Sequence, residues 1–108
     1  MRRATLTFMP TVIACLWANA AAAQMAIGGE GERLAVRVCS ECHNIGPGGE
    51  DGKNPAAPAF VAIAKRPSTT HLFLKVFLRT PHATMPNIIL SDAESDAVST
   101  YILELRGK

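Results

Sequence analysis

Side chains able to hold a metal are scarce in this chain of 108 residues, which has three cysteines, three histidines and four methionines. No internal repeat or low-complexity linker is visible, so solenoids and tandem modules are excluded. Almost no β-branched alternation occurs, and a sheet is therefore not expected. Basic residues do not cluster into a surface of the kind nucleic acid requires. The formal charge is only +2. The single long apolar run lies at the N-terminus, contains Pro10 and is short for crossing a bilayer. What remains is a small chain whose few sulfur and imidazole groups must carry any chemistry it has.

Met1 to Ala23 reads as an export leader rather than as part of the fold. Arg2 and Arg3 precede an uncharged apolar stretch from Ala4 to Trp17, and Ala18-Asn19-Ala20 and Ala21-Ala22-Ala23 both offer small-x-small cleavage sites. Cleavage after Ala23 leaves 85 residues, 24–108, and removes two arginines, so the formal charge falls to zero. That length suits one small domain. Val12-Ile13-Ala14-Cys15 also has the form of a lipidation box, although Leu16 and Trp17 after it argue against that use. Membrane attachment is expected only if Cys15 is lipidated or the leader is retained.

The richest local signal is Cys39-Ser40-Glu41-Cys42-His43. Two cysteines three positions apart, followed at once by histidine, form the C-x-x-C-H spacing of covalent haem attachment. On roughly one helical turn the two thiols reach the two vinyl groups of one porphyrin. His43 is then placed under the ring to supply a nitrogen to iron. A structural zinc site would need two further ligands, and beyond the leader only His71 and His82 are available. A thioredoxin-like C-x-x-C would want a βαβ setting that the pattern does not provide. Cys39 and Cys42 are therefore assigned to one haem c and His43 to its iron.

The expected fold is all-α, with three or four helices around the haem. Leu34, Ala35 and Val38 have helical spacing, so a first helix should run from near Gly31 into the motif. Residues 44–58 hold four glycines and three prolines and should be loop. Phe60 to Ala64 suits a short helical turn. Ser68 is an expected N-cap for a helix through about Arg79, with Leu72, Phe73, Val76 and Phe77 on its apolar side. Phe60, Phe73 and Phe77 are expected to pack on the porphyrin. Ser91-Asp92-Ala93-Glu94 has the capping-box pattern and should open a last helix that buries Ala97, Val98, Tyr101, Ile102 and Leu105 and ends at Gly107. A porphyrin would supply apolar surface that so short a chain lacks, so the bare polypeptide should fold poorly.

The second axial ligand comes from a short field. After cleavage only Met25 and Met85 remain as thioethers, and Met85, in Thr84-Met85-Pro86-Asn87, sits between two expected helices. His82 is the rival. A thioether would raise the reduction potential relative to a second imidazole.

With Cys39 to His43 near the expected new N-terminus, a Met-Pro pair beginning 42 positions after His43, and a capped last helix containing Tyr101, the chain resembles a class I c-type cytochrome of bacterial type. The resemblance implies the cytochrome c fold, a periplasmic location and one-electron transfer between redox proteins, either as a free carrier or as a subunit bound to a dehydrogenase or oxidase. It implies no enzymatic chemistry of the chain's own. It also implies a proline carbonyl that accepts a hydrogen bond from the axial histidine; Pro58 matches best, with Pro55 and Pro47 as alternatives. First and last helices would cross at small residues, Gly31 and Ala35 against Val98 and Tyr101. The lysines that ring the haem edge in mitochondrial cytochrome c are missing here, so docking cannot follow that pattern.

Overall fold

The computed structural model describes residues 29–50, 52–80 and 84–108. The leader, Cys15, Met25 and His82 lie outside them, as does the expected start of the domain at Gln24. Helix α1 occupies residues 29–38, α2 Phe60–Lys65, α3 His71–Arg79 and α4 Asp92–Glu104, followed by a 3-10 turn at Leu105–Gly107. Among the described residues there is no strand, and no helix is long and apolar enough to cross a membrane.

Helix α4 starts where its sequence says it should. The Ser91 hydroxyl accepts from the Glu94 amide at 3.2 Å, and the Glu94 carboxylate accepts from the Ser91 amide at 2.8 Å. This reciprocal pair satisfies two of the amides a helix start leaves open. The Ser91 amide, together with the Ser91 hydroxyl that donates to the same carboxylate at 2.8 Å, holds the Glu94 carboxyl below its usual range. The regular helix stops at Glu104, and the 3-10 turn carries the chain on to Gly107.

Helix α3 differs from expectation in its start. Its N-cap is Thr70 rather than Ser68, with the Thr70 hydroxyl accepting from the Phe73 amide at 3.1 Å. The preceding residues belong to the turn leaving α2: buried Thr69 donates its hydroxyl to the Ile63 carbonyl at 2.8 Å. Arg106 then closes this turn from the far end of the chain, donating to the carbonyls of Ala64 and Thr69, each at 2.7 Å. At its other end α3 stops at Thr80, which is extended (ψ 127°), the conformation a following proline imposes.

The core gathers Leu34 and Ala35 of α1, Phe60, Val61 and Ala64 of α2, Leu74 of α3, and Val98, Tyr101, Ile102 and Leu105 from the last helix and its turn. Burying a side chain the size of Leu105 or Val98 contributes roughly 1.5–3 kcal/mol. Backbones approach most closely where α1 meets α4. A Cβ on Gly31 would overlap the Ala97 carbonyl oxygen and come within 2.8 Å of Tyr101 Cβ. Only glycine permits that crossing, so Gly31 meets Tyr101 as expected, with the Ala97 backbone as its tightest neighbour.

The expected apolar side of α3 needs correction. Leu72 is 71% and Val76 57% exposed, whereas Leu74 is buried and Leu78 partly so. The reason lies on the opposite helix. Lys75 reaches Asp96 at 2.8 Å and Arg79 reaches Asp92 at 2.6 Å, so the charged stripe of α3 runs along α4 at its solvent-exposed edge. His71 joins the same seam, 3.7 Å from Asp96. The Lys75 ammonium holds the Asp96 carboxyl below its usual range. Lys75 and Arg79 are thus partnered while remaining at the surface.

Candidate haem site

The Cys39–His43 segment continues from α1 as a turn. The Cys42 and His43 amides both donate to the Cys39 carbonyl, at 3.2 and 2.9 Å. Cys39 and Cys42 form no disulfide with each other. Cys39 is buried, and that burial pushes its thiol up to about 11. Among the described residues no three metal-ligating side chains of the His, Cys, Asp and Glu kind cluster, so nothing there completes a zinc site around the two cysteines.

His43 is oriented from behind. Its Nδ1 lies 2.7 Å from the Pro58 carbonyl oxygen. A carbonyl can only accept, so Nδ1 carries the proton and Nε2 keeps the lone pair a metal needs. Pro55 and Pro47 hold no such position on His43. The Phe60 ring packs beside the imidazole, with centroids 5.4 Å apart.

The loop after the motif is tied to it at several points, and here the sequence reading missed the working residues. Asn44 accepts from the Gly46 amide through Oδ1 at 2.9 Å and donates through Nδ2 to the Glu50 carbonyl at 2.9 Å. Its own carbonyl accepts from the Phe60 amide at 2.8 Å, which caps α2 in place of a side chain. The Asn54 amide donates to the Cys42 carbonyl at 3.2 Å. Gly52 lies so close that a Cβ there would overlap the same carbonyl oxygen. The Tyr101 hydroxyl donates to the Ile45 carbonyl at 2.8 Å, joining α4 to the loop. The local part was legible in the sequence, since Asn44 two positions before Gly46 and Asn54 before Pro55 suit asparagine turns, in which the side chain bonds the amide two residues on.

These elements enclose a cavity of about 380 Å³. Its walls include Cys39, Cys42, His43, Pro58, Phe60, Phe73, Phe77 and Met85. Phe73 and Phe77 stack with centroids 5.6 Å apart, yet remain 45% and 42% exposed. Two aromatic rings turned toward an open apolar space suit a flat apolar group laid against them. Two thiols, an imidazole and a thioether thus line the same walls, a set of groups whose chemistry suits a haem held through sulfur and nitrogen. Met85 also borders a small apolar recess formed with Leu34, Val38, Leu78, Ile88, Leu90 and Val98. Directly before it, Thr84 has φ 71°. A β-branched residue in the left-handed region is a backbone outlier, costing on the order of 1–3 kcal/mol.

Among proteins of known function, cytochrome c-552 of Bradyrhizobium diazoefficiens is 34% identical to the chain over 88 residues, spanning 82% of this chain and 84% of that protein. The chain belongs to the class I c-type cytochromes. The all-helical fold agrees with that membership, and the cofactor of such a cytochrome is haem c, an iron porphyrin bound covalently to the protein. This cytochrome matches no family model and no solved structure.

Proposed function

We propose that this cytochrome is a periplasmic one-electron carrier, with Cys39 and Cys42 as the thioether attachments and His43 and Met85 as the axial ligands. The observation that carries the reading is that one apolar cavity is lined by all four side chains while His43 is tied through Nδ1 to Pro58. When bound, the haem supplies a reversible one-electron iron couple. The chain does the rest. Pro58 fixes the imidazole tautomer and makes His43 a better donor. A thioether at Met85 favours ferrous iron more than a second imidazole would, and raises the potential. With both axial positions taken by the protein, no coordination site is left for a substrate. Export rests on the leader sequence at 1–23, which suits covalent haem attachment outside the cytoplasm.

The optical spectrum of purified holoprotein tests the ligands. Low-spin bands and the weak long-wavelength sulfur-to-iron absorption are expected. Met85→Ala should abolish that absorption and admit carbon monoxide to the ferrous protein. Persistence of the absorption in this variant would remove Met85 from the iron.

A second reading, a cytochrome subunit held by a larger oxidoreductase, is favoured by the exposed Leu72, Val76 and Ile89, the last 91% exposed. Isolation from the native membrane-free extract at high salt distinguishes the two: a carrier elutes at the size of the single chain, a subunit with its partner.

A further inference from the structure

We infer that Thr84 is a positioning residue whose strained backbone keeps Met85 displaceable from iron; this rests on the axial role proposed for Met85. Three consecutive residues set the direction of the thioether. Pro86 has its own φ locked by its ring, and it confines Met85 to extended conformations. Neither can absorb the turn that brings residue 85 onto the cavity wall. The turn is absorbed at Thr84, the non-glycine residue with positive φ among those described. Thr84 is exposed and lines the same cavity as Met85. Asparagine or glycine would accept the same backbone at little steric cost.

The strain exists only while Met85 is held against the cavity. Once the thioether leaves, Thr84 returns to an ordinary negative φ, and the relief favours the detached state. The sixth position is thereby biased toward opening, and a small nitrogen donor can compete for it more easily than in a loop with an unstrained residue 84. Replacing Thr84 by glycine removes the strain, and this relief exceeds the extra freedom glycine gives the detached loop.

The test is an imidazole titration of ferric holoprotein, followed by loss of the long-wavelength sulfur-to-iron absorption. Thr84→Gly should raise the imidazole concentration for half-displacement by about tenfold. Thr84→Asn, which tolerates the left-handed region without loosening the chain, should fall between glycine and the native residue. Thr84→Val keeps the branching and loses only the hydroxyl, so it should stay within about twofold of the native protein. A midpoint in Thr84→Gly and Thr84→Asn equal to or below the native one overturns the proposal. So does a large drop in Thr84→Val, which would assign the effect to the hydroxyl. Met85→Ala separates the two levels of argument: if it keeps the absorption, the axial reading itself fails. If it loses the absorption while Thr84→Gly behaves as native, only the strain fails.

Discussion

The crossing of α1 and α4 and the α3 wall of the cavity are closed in different ways. At the crossing, polypeptide meets polypeptide: Ala35 is 0%, Val98 1% and Leu105 1% exposed, and Gly31 lets two backbones touch. On the α3 wall, Phe73 and Phe77 are close to half exposed and face the cavity. One region finishes its own core; the other leaves a face for the cofactor to finish. A chain this small buries too little surface to stand easily alone, and the division shows where the missing surface is supplied.

The strongest way to break this contrast is to withhold the haem. The Cys39→Ala/Cys42→Ala double variant should lose stability on the order of 5 kcal/mol, comparable to that of a whole small domain. Its thermal transition by circular dichroism should broaden or vanish, and amide exchange should be faster in α3 than in α4. Equal protection of the two helices would erase the distinction. Next is the crossing itself. Gly31→Ala should destabilise the holoprotein by about 2 kcal/mol, a fall in Tm of roughly 10 °C. Its low-temperature haem spectrum should be unchanged, because the damage lies on the self-sufficient side.

Tyr101→Phe probes the join between the regions. Loss of the bond to the Ile45 carbonyl should cost about 1–2 kcal/mol in denaturant unfolding, and the loop should exchange faster than α4. The smallest effect belongs to the α3–α4 seam. Asp96 has a carboxyl held below its ordinary range by the Lys75 hydrogen bond, so its contribution is present above that range and is lost as pH falls through the lowered value. Asp96→Asn should flatten the acid side of the stability profile below about pH 4 and leave neutral-pH spectra unchanged. An unaltered acid limb would show that the pair contributes nothing measurable, as exposed pairs often do.

What could be read from the residues followed how local its cause was. The cysteine spacing and the Ser91–Glu94 box are short-range chemistry, and both were legible. The Gly31 contact with Tyr101 was reachable through the family resemblance, because a close crossing demands the smallest residue. The face of α3 was not legible, since Lys75 and Arg79 look like unpaired surface charges until Asp92 and Asp96 stand opposite them. The start of α3 was displaced from Ser68 to Thr70 because a long-range pull, Thr69 to Ile63 and Arg106 to Thr69, captured the earlier residues. The backbone bonds from Phe60 to Asn44 and from Asn54 to Cys42, and the close approach of Gly52 to Cys42, were hidden for the same reason, whereas the local turns of the two asparagines were not.

The tether from Tyr101 to Ile45 spans 56 positions of sequence. The segment just past Cys42 is therefore fastened only once α4 has docked, so shortening the chain at its far end would loosen the loop beside the C-x-x-C-H motif.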